Sequence, residues 1–348
     1  MMELLTRLGG PDEQKKMLFR LCRAAGTSGD EAGANEAAAR EFAPFAETGT
    51  DALGNLTAEM GDKSSPTHIL VDAHLDQIGL IVTEVDDKGF LRVDRCGGVD
   101  RRELPGTAVT VFGKKTLCGV VCCTPPHLTG GKEDEVPETS AMAVDIGCTP
   151  ERARELVKPG DRIVFRTEPK ELLGGRVSAP GLDNRASVAV LVRCAQMLAE
   201  KKPHCRVTFL CSTREEVGGQ GAVTGAYLAD PTQAIAVDVG FASQPGVKPK
   251  QCGKLGGGAM IGFAPVLDRR MSEKLVAIAE REKIPYKCDV MGGDTGTNSD
   301  AIAVTKAGVP TALISVPERY MHTPAEVVDM RDIEAIAKLI AEYIWEVE

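Results

Sequence analysis

Aromatic side chains are scarce in this chain: 9 Phe, 4 Tyr and a single Trp make up 4% of its 348 residues. A sugar-binding cleft lined with rings is therefore hard to build, and core volume must come from Ala, Val, Leu and Ile, which suits a sheet of parallel type packed by helices. A surplus of positive charge is also missing. The net charge of −9 and a pI of about 5.3 argue against nucleic acid or an anionic membrane as the main partner. There is no uncharged apolar run of membrane-spanning length, and residues 1–11 lack the apolar core of a secretion signal. Cysteine is present but unpaired in pattern: the count of 11 is odd, no C-x-x-C occurs, and Cys194, Cys205 and Cys211 lie inside apolar runs. This points to reduced, buried thiols in a cytoplasmic protein and away from a zinc–thiolate site.

What is present is ordinary for a globular chain, with 43% hydrophobic and 26% charged residues and enough length for two domains. Helical spacing covers 12–25, with Asp12 as its cap, and an alanine-rich segment at 30–45 follows. Residues 51–60 read as strand and turn, with a bend at 51–55, and lead into the short apolar strand 68–73. From 78 to 170 the texture changes to short strand-like runs punctuated by Gly and Pro, with one helix at 149–157 capped by Thr149. That stretch is expected to be a small β-rich domain inserted into an α/β one, carrying a long mobile loop at 124–139. After 170 the α/β rhythm returns, with helices at 184–201, 220–228, 269–283, 299–307 and 331–345 and strands at 206–211, 234–239 and 311–316. The expected division is thus 1–77 with 171–348 as the catalytic domain and 78–170 as the insert.

The chemistry gathers at strand ends. Ser212-Thr213-Arg214-Glu215-Glu216-Val217-Gly218-Gly219 follows the apolar run Val207-Thr208-Phe209-Leu210-Cys211. Neighbours on a strand point apart, so one glutamate is suited to ligate a metal while the other handles a proton. His74, Asp183, Glu216, Asp238 and His322 all stand just past apolar strands or at a turn, and in α/β sheets ligands gather beyond the carboxyl ends of strands. Each has a plain structural reading when taken singly. Glu215-Glu216 can be a solvated turn, Asp183 a helix cap and a histidine after a strand a core residue, the reading kept for His68, His127 and His204. Asp238 resists it, because a carboxylate buried at the end of an apolar strand is costly unless paired or metal-bound. Together, histidine and carboxylate suit zinc, cobalt or manganese. Asp76 is placed to accept the second ring N–H of His74. The stretches Gly113-Lys114-Lys115-Thr116 and Gly130-Gly131-Lys132 lack P-loop spacing.

His74-Leu75-Asp76, Gly181-Leu182-Asp183-Asn184-Arg185, Glu215-Glu216-Val217-Gly218, Val237-Asp238 and Arg319-Tyr320-Met321-His322-Thr323-Pro324 together resemble the motif set of the M42 metallo-aminopeptidases, the tetrahedral (TET) or glutamyl-aminopeptidase-like family. The resemblance runs over nearly the whole chain. It implies a zinc-exopeptidase-like α/β fold, a mixed central sheet flanked by helices, with the small β-rich insert. It implies two divalent ions per subunit, Zn²⁺ or Co²⁺: Asp183 bridging, His74 and Asp238 completing one site, and Glu216 and His322 the other. Glu215 is then the general base and Asp76 the orienter. A cis bond is implied at Asp183–Asn184, and a homododecamer built from dimers, acting on peptide substrates. Gln77 departs from the family, which more often has an acidic residue there. The M20 peptidases and deacylases share a similar order of ligands but carry their insert later, between the fourth and fifth. Here it lies between His74 and Asp183. An endoglucanase is a further alternative, disfavoured because Glu215 and Glu216 are neighbours and do not face each other across a bond. The insert supplies no expected metal ligand, so assembly and gating of access are its expected roles.

Overall fold

The computed structural model describes residues 10–131 and 134–347. Two helices open the chain, α1 (Pro11–Arg23) and α2 (Ala32–Phe42), followed by strands β1 (Glu47–Thr50), β2 (Leu56–Gly61) and β3 (His68–His74). The chain then leaves for β4 (Gly79–Val85), β5 (Leu91–Cys96), β6 (Ala108–Phe112), β7 (Thr116–Cys122), β8 (Ala143–Asp145), helix α3 (Pro150–Leu156) and β9 (Arg162–Phe165). A ribbon of β10 (Lys170–Leu172) and β11 (Arg176–Ala179) leads into α4 (Leu182–Glu200). The remainder runs β12 (Arg206–Ser212), α5 (Gln220–Ala229), β13 (Gln233–Phe241), β14 (Ala259–Phe263), α6 (Arg269–Arg281), β15 (Tyr286–Val290), α7 (Asn298–Ala303), β16 (Thr311–Glu318), β17 (Glu326–Asp329) and α8 (Met330–Trp345).

The main sheet has eight strands in the order β1-β2-β12-β3-β13-β16-β14-β15. Its centre, β12, β3, β13 and β16, is parallel, while β1, β2 and the β14–β16 pairing are antiparallel. Helices cover both faces, so the central strands are buried along most of their length, and all seven residues of β3 are buried. Alternation sends Ile69, Val71 and Phe209 into one core with α1, α2, α4, α6 and α8, and Leu70 and Leu210 into a smaller one with α5 and α7. On α8, Ile333, Ile336, Ile340 and Ile344 recur at helical spacing and are all buried. Each such side chain contributes about 1.5–3 kcal/mol by leaving water. The strands β4 to β9 close into an antiparallel barrel in the order β4-β5-β8-β7-β6-β9, packed around its own core of Leu80, Val82, Leu91, Val109, Val111 and Val144.

The structure differs from the sequence reading at several edges. Helix α1 begins at Pro11 behind Gly10, and Asp12 makes no cap bond. Proline fits the first helical turn because its missing N–H would be unpaired there anyway. Thr149 does cap α3, accepting from the Arg152 amide. The segment 299–307 is helical only to Ala303. Strands β14, β15, β10, β11 and β17 were not foreseen. Tyr-Lys-Cys-Asp-Val in β15 is an edge strand whose polar alternation hides it, and β17 is only four residues long. Within 124–139 the described residues form no strand, only a short 3₁₀ turn at Pro126–Leu128 and the start of another at Thr139. Lys132 and Glu133 of that loop, and residues 1–9 of the amino-terminal segment, lie outside the described residues.

Candidate active site

Because β3, β12, β13 and β16 run parallel, their carboxyl ends face one edge of the sheet, and the chemistry-bearing side chains meet there. His74 is the last residue of β3, level with Ser212 at the end of β12. Glu215 and Glu216 follow from the turn after β12, Asp238 lies in β13 opposite Ser315 of β16, and His322 follows β16. Asp183 enters from the start of α4. There the Asp183–Asn184 peptide bond is cis, as the resemblance implied, and both residues have non-helical backbone. The capping reading of Asp183 fails: Gly181 takes the cap position and no side chain caps the helix.

Asp183 presents one carboxylate oxygen to each histidine. Its Oδ1 lies 3.1 Å from His74 Nε2 and its Oδ2 lies 3.3 Å from His322 Nε2. Asp238 Oδ1 is 3.7 Å and Glu215 Oε2 3.9 Å from His74 Nε2, while Glu216 Oε1 is 3.3 Å from His322 Nε2. Three donor groups emerge with their atoms within 4.8 Å of one another: His74, Asp183 and Asp238; Asp183, Glu216 and His322; and His74, Glu215 and Glu216. Both imidazoles use Nδ1–H to donate to a backbone carbonyl, that of Asp76 at 3.0 Å for His74 and that of Gly98 at 3.0 Å for His322. This leaves each Nε2 turned toward the carboxylates, the tautomer a metal needs. The buried Glu216 Oε1 has no hydrogen-bond donor of its own. Such a set of imidazole nitrogens and carboxylate oxygens fits borderline divalent cations.

The electrostatics are those of crowded buried carboxylates. Burial raises Glu216 and takes Asp238 well above the ordinary carboxylate value. Burial, with Glu216 and Asp183 beside it and His74 opposing, lifts Glu215 to about 7. Asp183 is held low despite its burial because both imidazoles, in their charged form, donate Nε2–H to it. The histidines rise in return, against their own burial: His74 well above its ordinary value and His322 to about 11.

Asp76 is fully buried and does more than the sequence reading assigned it. Its carboxylate Oδ1 is 3.4 Å from His74 Nδ1, farther than its own carbonyl, and that carboxylate also accepts the amides of Glu215 at 2.9 Å and Glu216 at 3.2 Å. The Ser28 hydroxyl donates to it at 2.7 Å. One side chain thereby fixes the turn that carries both glutamates. Glu326 was missed entirely: its two carboxylate oxygens accept the backbone amides of Asp183 at 3.2 Å and His322 at 3.1 Å, tying both residues to β17. Its signal was an acidic residue beginning a short apolar run. Gln77, the departure from the family pattern, is buried beneath Gly181 with its Oε1 unpartnered. His68 is a core residue, its Nε2 2.8 Å from Thr208 Oγ1.

The cluster lines a cavity of about 820 Å³ that is also lined by Asp289 and Val290 of β15, the loop from Met291 to Thr297, and Val239 and Leu313. Among the described residues no helix is long and apolar enough to cross a membrane.

A family model described as M42 glutamyl aminopeptidase matches residues 54–339. A lysyl aminopeptidase of Pyrococcus furiosus is 32% identical over 83% of this chain and 84% of its own length. Among solved structures, an aminopeptidase from the archaeon Desulfurococcus kamchatkensis superposes with a TM-score of 0.90 at 33% identity, covering 97% of this chain and 96% of that one. The TET1 peptidase of Pyrococcus horikoshii, which can assemble into a tetrahedron or a large octahedral shell, gives a TM-score of 0.86 at 34% identity over 97% and 100% of the two chains. With the family pattern matched across most of its length and the same fold found in these peptidases, this chain belongs to the M42 glutamyl aminopeptidase family and is a peptidase hydrolase.

Proposed function

We propose that this enzyme removes the N-terminal residue from peptides using two divalent ions, Zn²⁺ or Co²⁺, with Glu215 as general base. The observation that carries this reading is Asp183, whose two oxygens face two different imidazoles. His74, Asp183 and Asp238 would hold one ion, and Asp183, Glu216 and His322 the other. Two such ions, when bound, polarise the scissile carbonyl and make a water acidic enough to lose its proton near neutral pH. Glu215 accepts that proton on a carboxylate oxygen and delivers it to the leaving amine. Asp76 keeps Glu215 and Glu216 in register through their backbone amides. The free N-terminal amine of a peptide would sit beside one of the ions and the nearby carboxylates. Neighbouring glutamates on one turn do not face each other across a glycosidic bond, which weighs against a glucanase. The test is paired substrates: an aminoacyl-p-nitroanilide should be cleaved and its N-acetylated form should not. Equal cleavage of both would overturn exopeptidase action.

Gly98 tests the site from the barrel side. A methyl group there would stand 2.5 Å from His322 Nδ1. Gly98→Ala should therefore turn His322 and weaken metal binding by about 10–100-fold, the usual cost of disturbing a ligand's hydrogen-bond partner. Metal titration by calorimetry checks it; unchanged affinity would mean that His322 is held by other contacts.

The barrel is also proposed to serve assembly into a homododecamer built from dimers, as its independent core and the exposed Val120, Leu128 and Val136 suggest. Light scattering on a variant with residues 78–170 replaced by a linker should give a smaller species than the intact chain. An unchanged mass would place the contacts elsewhere. A cytoplasmic location, testable by cell fractionation, rests on the buried thiols of Cys194, Cys205 and Cys211, whose pKa burial raises.

A further inference from the structure

Beyond the metal-type cluster, the cavity wall carries one half-buried carboxylate, Asp289 on edge strand β15. No hydrogen-bond donor of the described residues reaches it, and burial raises its pKa. The cation nearest in charge is Lys287, two residues back on the same face of the strand. Its ammonium is already engaged, donating to the carbonyls of Cys252 at 2.6 Å and Lys250 at 3.2 Å. Among the described residues Lys250 is the single lysine or arginine lining the cavity; it is exposed, so its charge is screened by water. Beside Asp289 in the register stands Gly262, which has no side chain to cover it. The wall next to it is apolar, formed by Val239, Met291 and Leu313. An apolar surface ending in an uncompensated carboxylate matches a long aliphatic stem ending in a cation.

We propose that Asp289 sets a preference for peptides whose first residue is lysine or arginine. The proposal rests on the aminopeptidase reading above. The stem of the substrate side chain lies along Val239, Met291 and Leu313, and its ammonium or guanidinium donates to the Asp289 carboxylate. A charged hydrogen bond of this kind is worth about 10–100-fold in selectivity.

The experiment compares kcat/KM for L-lysyl-, L-norleucyl- and L-glutamyl-p-nitroanilides on the metal-loaded enzyme. Norleucine keeps the stem of lysine and removes the charge. The wild-type enzyme should favour lysyl over norleucyl by about 10–100-fold, and the ratio should shrink as sodium chloride is raised. Asp289→Asn should bring the ratio toward unity, mainly through KM, and Asp289→Lys should favour the glutamyl substrate. A wild-type ratio at or below one overturns the proposal and leaves the aminopeptidase reading standing, and this arm does not depend on either variant folding. A folded, metal-loaded Asp289→Asn with an unchanged ratio overturns it too. Failure to cleave any of the three substrates with Zn²⁺ or Co²⁺ overturns both readings together.

Discussion

Replacing Glu215 with Gln is expected to lower kcat by about 10²–10⁴, the usual worth of a positioned general base, with metal content and fold retained. The amide keeps the volume of the side chain and removes its ability to take a proton. The backbone of residue 215 stays tied to Asp76, so the turn should hold. KM should change little, because the lost interaction is made in the transition state. Glu216→Gln should behave differently. Glu216 belongs with Asp183 and His322 as a donor, so its loss should weaken one ion, and excess metal should restore part of the rate. Metal stoichiometry by mass spectrometry, measured beside kcat for both variants, separates the roles. Metal loss in Glu215→Gln with both ions kept in Glu216→Gln would mean that the assignments are reversed. Near-normal kcat in both variants would place the chemistry elsewhere.

Removing metal is expected to abolish hydrolysis, and Zn²⁺ or Co²⁺ should restore it. Full activity in a verified metal-free sample would sink the dinuclear reading. Stability should move as well. A ligand at 100–1,000 times its Kd stabilises the folded state by about 2.7–4.1 kcal/mol, so the chelated protein should melt at a lower temperature. Its pH dependence has a definite sign. Burial raises Asp238 and Glu216, and carboxylates drive His322 to about 11. Groups with raised folded pKa stabilise most at low pH and lose that contribution as pH rises through the folded value. Asp183, whose folded pKa is depressed, contributes in the opposite sense, and that contribution is lost only in strong acid. For His322 the window runs from its ordinary value near 6.5 to about 11. The metal-free protein should therefore lose thermal stability across that range. The loaded protein, whose ligands must be deprotonated, should instead weaken as pH falls. Melting curves at several pH values, with and without chelator, check this; parallel profiles would contradict it.

Much of this architecture could be read without coordinates, and particular residues show why. Buried parallel strands are continuous apolar runs, so Val207 to Cys211 and the strand before His74 stood out. Helices with one apolar face, such as α1 and α8, were equally plain. Edge strands escaped because only part of their surface is buried: Cys288 and Val290 of β15 are exposed, and no apolar alternation marks them. The capping error at Asp12 arose because aspartate and proline both mark helix starts, and here proline sits in the first turn.

The sequence by itself singled out the side chains that the fold brings together at one edge of the sheet. His74, Asp76, Asp183, Glu215, Glu216, Asp238 and His322 were identifiable because imidazole and carboxylate are unusual at the ends of apolar strands, where burying them costs energy unless they are paired. It also determined the family, through five short motifs spread along the chain. Only the tertiary structure decided how those side chains are held. The bond from His322 to Gly98 spans 224 positions, and the grip of Glu326 on the Asp183 amide spans 143. Both use backbone N–H or C=O groups, which every residue except proline offers alike. Residue identity therefore carries no trace of which carbonyl will meet which imidazole. The same reason explains why Asp76 could be foreseen as a partner of His74 while the atom in closest contact, its backbone carbonyl, could not.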